Sequence, residues 1–159
     1  MSLLERVSWY GFTKSEAEKQ IPDGAIIRIS HPLSGHPHDY LIRMISLFDT
    51  GSLYPLYTDQ QFPITDIHIL AQLIDAILAK RRTGIFHSVS YDCVSPYQLF
   101  MSAMEQFRGI KPQVTTIQFS ESGTAYGQYS ALQLSDTLRQ WNSIYTYSWK
   151  DVLRNIKPV

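Results

Sequence analysis

Short β-branched runs alternate with amphipathic helical segments along most of this chain, and few architectures satisfy that alternation. Residues 25–29 (Ala-Ile-Ile-Arg-Ile) have the composition of a largely buried strand. Residues 38–49 place Leu41, Ile42, Ile45 and Phe48 at helical spacing, and Gly51 marks the stop. Between residues 53 and 64, Pro55 and Pro63 forbid a regular central strand and leave short extended pieces. The next helix takes Thr65 as its cap and lines Ile67, Leu70, Ala71, Ile74, Ile77 and Leu78 along one face. Residues 83–89 read as a strand. Ser95, Pro96 and Gln98 then supply an N-cap, a first-turn proline and a capping-box partner for a helix that Gly109 ends. Residues 114–119 read as another strand, and Ser148 with Asp151 opens a final helix over Trp149, Val152, Leu153 and Ile156. Single strands separated by helices predict an α/β fold with at least partly parallel pairing.

Composition narrows the function. The chain has 159 residues, 44% of them hydrophobic and 18% charged, enough to bury a core as one globular unit. Fourteen basic and fourteen acidic residues balance, so no broad field favours nucleic acid or an anionic membrane. The densest basic run, Lys80-Arg81-Arg82, ends a helix, where it complements the helix dipole. Cys93 is the only cysteine, which excludes a disulfide framework and a thiolate metal cluster. No apolar run approaches a membrane span and the start carries no signal-peptide pattern, so the expected compartment is the cytoplasm.

Several motifs are missing. There is no Gly-x-Ser-x-Gly elbow, no Walker loop, no His-Glu-x-x-His and no Gly-x-Gly-x-x-Gly. His36, His38 and Asp39 sit on a Pro/Gly loop without a second ligand cluster, so no metal is expected. His31, His68 and His87 are scattered over a loop, a helix and a strand, and Cys93 has no adjacent basic residue to activate it. What remains is Tyr10 and Lys14, four apart and therefore on one helix face. Ten tyrosines and the lysines of this chain give roughly 0.4 chance occurrences of that spacing. By itself it leaves open a catalytic pair or a packed aromatic beside a surface lysine.

The ordered set of segments resembles the later half of the extended short-chain dehydrogenase/reductases, most closely their dTDP-4-dehydrorhamnose reductase branch. "WYGFTKSEAE" is similar to that family's Tyr-Gly-x-x-Lys-x-x-x-Glu helix through Tyr10, Gly11, Lys14 and Glu18. "AIIRISHPLSG" resembles the following strand and turn. Ser30 agrees there, whereas Ile29 replaces a threonine and Leu33-Ser34-Gly35 departs from a Tyr-Gly turn. "TDQQFPITDIHILAQLIDAIL", "TGIFHSVSYDCVSPYQLF", "YSALQLSDTL" and "WKDVLRNI" resemble later family blocks in collinear order.

The resemblance implies the C-terminal part of a Rossmann-type NAD(P)-binding fold. Residues 1–37 would be a remnant of the nucleotide-binding domain, and residues 38–159 the substrate-binding region. It implies NADP or NAD as the complete protein's cofactor and a nucleotide-linked 4-keto sugar as substrate. Tyr10 and Lys14 would be catalytic, with Lys14 also on the nicotinamide ribose. Ser30 and His31 would lie on the cofactor side, and Tyr57 and Gln60 on the substrate. A phenol is a poor acid at neutral pH unless a nearby cation favours its ionised form, which gives the lysine its place one turn on. A complete member begins with a glycine-rich βαβ unit and carries a Ser or Thr upstream of the tyrosine. Neither occurs in the nine residues before Tyr10. The chain is therefore expected to be a C-terminal fragment or truncated product that binds no cofactor alone. It is expected to self-associate or take a partner chain. A non-catalytic binding or regulatory module of the same fold, as in the regulatory subunit of methionine adenosyltransferase, stays open. So do a nucleotide-sugar epimerase or dehydratase and an unrelated small α/β domain.

Overall fold

The computed structural model describes residues 9–121 and 145–157. In chain order they form α1 (Trp9–Lys19), β1 (Ala25–Ile29), β2 (His31–Leu33), α2 (Tyr40–Asp49), β3 (Leu56–Tyr57), β4 (Ile64–Asp66), α3 (Ile67–Ala79), β5 (Gly84–Ser88), α4 (Pro96–Arg108), β6 (Thr116–Ile117), a 3-10 turn (Phe119–Glu121) and α5 (Trp149–Asn155). The strands pair as β1 with β5, β2 with β4 and β3 with β6, each pair parallel. Parallel neighbours need long crossovers, which the helices provide. The fold is α/β, as the alternation predicts.

In the β1–β5 pair, Ile27 stands beside Phe86 and Arg28 beside His87. Side chains alternate between faces, so these two pairs look in opposite directions. Phe86 is buried with Leu73 and Ile77 of α3, and Ile27 packs against them. Glu18 of α1 reaches Arg28 on the other face. The strand is thus covered above and below, yet it is less buried than its composition suggests, and Ile29 is 42% exposed. The reason is lateral. Among the described residues β1 has a neighbour on one edge only.

Three further expectations change. Asp66, rather than Thr65, caps α3, its carboxylate accepting from the amides of His68 (2.8 Å) and Ile69 (3.1 Å). The Thr65 hydroxyl is committed elsewhere, between Ser30 and Ser88. On α3 the buried residues are Leu73 and Ile77, while Ile74 is 40% and Leu78 69% exposed. This helix is apolar on more than one face, so periodicity alone admits more than one stripe, and contact with Phe86 selects between them. Of residues 114–119 only Thr116 and Ile117 pair as a strand. The Asp59 carboxylate accepts the Phe119 amide at 2.5 Å and turns the chain into the 3-10 segment.

Local signals hold for α4 and α5. Both capping boxes form, and Gly109 closes α4 in the left-handed conformation at φ 67°. The main core gathers Leu41, Met44, Leu99, Phe100, Met104 and Leu153 from α2, α4 and α5. Gly35 (φ 87°) is required at its margin, because a Cβ there would stand 2.9 Å from the Lys157 carbonyl oxygen. No helix among the described residues is long and apolar enough to cross a membrane. The "YSALQLSDTL" resemblance lies outside the described residues.

Candidate active site

Tyr10, Lys14 and Glu18 recur at i, i+4 and i+8, so they form one stripe along α1. The Lys14 ammonium lies 5.4 Å from the centroid of the Tyr10 ring, and Tyr10 is 68% exposed. All three line a groove of about 350 Å³ whose other wall is β1 from Ala25 to Ile29. Residues of both side-chain parities contribute, so the groove follows the open edge of the strand rather than one face of it.

The stripe is anchored at its far end. Arg28 donates from Nε and Nη2 to the two Glu18 oxygens at 2.8 and 2.6 Å, and its Nη1 lies 3.4 Å from His87 Nε2. A guanidinium has no acceptor, so His87 must accept at that nitrogen. Hydrogen bonding from Arg28 holds the Glu18 carboxyl below its ordinary range. A two-point clamp of this kind fixes orientation as well as contact, and it sets how Lys14 and Tyr10 face the groove.

Beyond Ile29 the chain enters a second cluster. The Ser30 amide donates to Thr65 Oγ1 at 3.0 Å, and the buried Thr65 hydroxyl donates to the Ser88 carbonyl at 2.6 Å, tying together the C-terminal ends of β1 and β5. Ligands of parallel sheets bind at that end of the strands. Ser30 Oγ lies 3.3 Å from His31 Nδ1. The His31 ring stacks on Phe62 with centroids 4.0 Å apart and meets Tyr40 at 5.2 Å. Burial lowers its pKa and favours neutral imidazole. Burial, then the neighbouring Tyr54 and Tyr57 hydroxyls, raise the pKa of Tyr40 and keep it protonated. Tyr57 packs edge-on against Phe119 at 5.2 Å, and Gln60 is half-buried nearby in sequence.

The sequence-derived residues therefore fall into two groups. Tyr10 and Lys14 share the groove. Ser30 adjoins His31, which packs on Tyr40 and Phe62, while Tyr57 packs on Phe119, and the residue before Ser30, Ile29, lines the groove. Sequence reading missed Tyr40, Tyr54 and Phe62. The concentration of Tyr54, Tyr57 and Phe62 in one proline-broken stretch was the available signal. Asp39, set aside as a metal ligand, accepts the amides of Ser34, Gly35 and His36 and shapes its own loop. Burial and then Asp92 push the Cys93 thiol pKa up, away from thiolate reactivity.

Among solved structures, the chain is similar to a dTDP-4-dehydrorhamnose reductase from Bacillus anthracis in complex with NADP. The TM-score is 0.77 at 19% identity, covering 94% of this chain and 55% of that one. A dTDP-4-dehydrorhamnose reductase from Yersinia enterocolitica matches with TM-score 0.76 at 20% identity over 92% of this chain and 55% of that one. The Bordetella bronchiseptica enzyme WbmG in complex with NAD matches with TM-score 0.68 at 15% identity over 92% and 47%. At such identities the likeness is one of fold, and this chain spans about half the length of those it matches. No curated protein matches in sequence. The family model described as the RmlD substrate binding domain matches residues 4–157, and the chain belongs to that family.

Proposed function

We propose that this chain is the substrate-binding half of an NAD(P)H-dependent oxidoreductase that reduces the C4 ketone of a nucleotide-linked sugar. The observation that carries the reading is the α1 stripe, in which Tyr10 and Lys14 stand one turn apart over a groove that follows an open strand edge. That edge would receive a strand of a dinucleotide-binding unit. On this reading residues 1–37 continue the nucleotide-binding domain, and residues 38–159 hold the sugar. The open edge equally supports self-association, segment exchange or a partner chain when the unit is absent.

Tyr10 would donate its phenolic proton to the carbonyl oxygen as C4 accepts hydride, so that the ketone becomes an alcohol. Lys14 would stabilise the resulting phenolate and hydrogen-bond the nicotinamide ribose. A bound nicotinamide would supply the hydride and leave oxidised. The residues present fit the ribose end of that cofactor. The sequence has no glycine-rich turn for the pyrophosphate. The test joins this chain to a dinucleotide-binding unit from a structural relative and follows NADPH oxidation with a dTDP-linked 4-keto sugar. Substrate-dependent oxidation supports the reading, and none with a folded, NADPH-binding assembly refutes it.

A further inference from the structure

A single residue carries the chain from one strand pair to another. β1 ends at Ile29 and β2 begins at His31, so Ser30 is the whole link between the β1–β5 pair and the β2–β4 pair. Ile29 lines the groove with Tyr10, which puts Ser30 beside the groove at the C-terminal ends of two parallel strands. Sheets of this kind receive their ligands at that end. The Ser30 amide donates to the Thr65 hydroxyl at 3.0 Å, and that hydroxyl donates to the Ser88 carbonyl at 2.6 Å. Thr65 also stands beside Pro32 in the β2–β4 ladder and is fully buried. One hydroxyl therefore ties β4 to the exits of β1 and β5.

β4 is a firm anchor for that tie, since all three of its residues are buried. The Ile64 amide donates to Ser90 Oγ at 2.9 Å, and the Ile64 carbonyl accepts the Ser90 amide at 2.7 Å. The Asp66 amide donates to the Tyr147 hydroxyl at 3.1 Å. These bonds hold the two ends of β4, whereas the Thr65 hydroxyl fixes the crossing at Ser30. We infer that Thr65 is a positioning residue for the reduction: through the Ser30 amide, its buried hydroxyl sets how Ile29 to His31 face Tyr10 across the end of the groove. This rests on the reductase reading above and deepens it. Thr65 does not line the groove and acts only through Ser30. A small displacement of reacting groups costs turnover more than it costs affinity.

The test compares Thr65→Val, which removes the hydroxyl and keeps the shape, with Thr65→Ser, which keeps the hydroxyl. In the full chain without cofactor, NMR follows hydrogen exchange at the Ser30 amide. That amide should be protected in the parent, exchange about tenfold faster in Thr65→Val and stay within about twofold of the parent in Thr65→Ser. An unprotected Ser30 amide in the parent overturns the inference, whether or not Thr65→Val folds. In the chain joined to a dinucleotide-binding unit, Thr65→Val should lower kcat about tenfold while the KM for the sugar stays within about twofold. Thr65→Ser should keep the parent kcat. Ser90→Ala removes a different buried partner of β4 and leaves the Ser30–Thr65 bond in place, so it should keep that kcat too. An unaltered kcat in Thr65→Val, or an equal fall in Ser90→Ala, would reduce Thr65 to a stability residue and overturn the inference while the parent's turnover upholds the reductase reading. A joined parent that binds NADPH and turns nothing over refutes the reductase reading, and the inference falls with it.

Discussion

Arg28 on β1 grips Glu18 on α1 through two parallel hydrogen bonds, and Glu18 is one helical turn beyond Lys14 and two beyond Tyr10. The ion pair therefore orients the candidate catalytic stripe without belonging to the chemistry. Both side chains are largely shielded, at 17% and 20% exposure, so the pair is worth more than a surface salt bridge. Glu18→Ala should cost about 1.5–3 kcal/mol in urea unfolding. Because the folded carboxyl titrates below its ordinary 4.5, its contribution is complete above that pH and disappears as pH falls through the lowered value. Unaltered stability and unaltered acid sensitivity in Glu18→Ala would show that α1 is held by other contacts.

Thr65 joins the ends of two strands by one buried hydroxyl. Thr65→Val keeps the shape and leaves the Ser30 amide and Ser88 carbonyl without that partner. The expected loss is about 1–3 kcal/mol, measured by thermal or urea denaturation. A neutral substitution would mean that water or a rearranged main chain replaces the hydroxyl.

His31 is held neutral by burial, with its pKa below the ordinary 6.5. The unfolded chain then takes up a proton before the folded chain does. Stability from this residue is complete above pH 6.5 and is lost as pH falls from there through the folded value. His31→Phe retains a ring on Phe62 and should flatten the decline in melting temperature over that acid interval. An identical decline in the variant would assign the acid sensitivity to other groups.

These sites differ in how far they were legible in the sequence. The caps of α4 and α5 and the Gly109 stop depend on residues three or four apart, and the structure keeps them. The Tyr10–Lys14 stripe was legible for the same reason. Thr65 and Asp66 were confused because both can cap, and the choice depends on Ser30 and Ser88, distant in sequence. The exposure of Ile74, Leu78 and Ile29 depends on which faces and edges find neighbours, which local periodicity does not encode. The aromatic cluster was missed because Tyr40 belongs to a helix whereas Tyr54, Tyr57 and Phe62 belong to a proline-broken stretch with only a two-residue strand.

The open edge of β1 should govern solution behaviour. An uncovered strand flanked by apolar side chains is a template for pairing. The chain alone should show concentration-dependent mass by light scattering across a dilution series, with weak amide protection at residues 25–29 in the dilute limit. A monomer at every concentration with strong protection there would show that the strand is covered within the chain.

The most direct test of the account is Tyr10→Phe in the chain joined to a dinucleotide-binding unit, with kcat measured on a dTDP-linked 4-keto sugar. Tyr10 is mostly exposed and the change removes only its hydroxyl, so folding and NADPH affinity should be retained. The account predicts a fall in kcat of about 10²–10⁴-fold. A variant that turns over within about twofold of its parent would show that Tyr10 is not the proton donor and that the α1 stripe is packing alone.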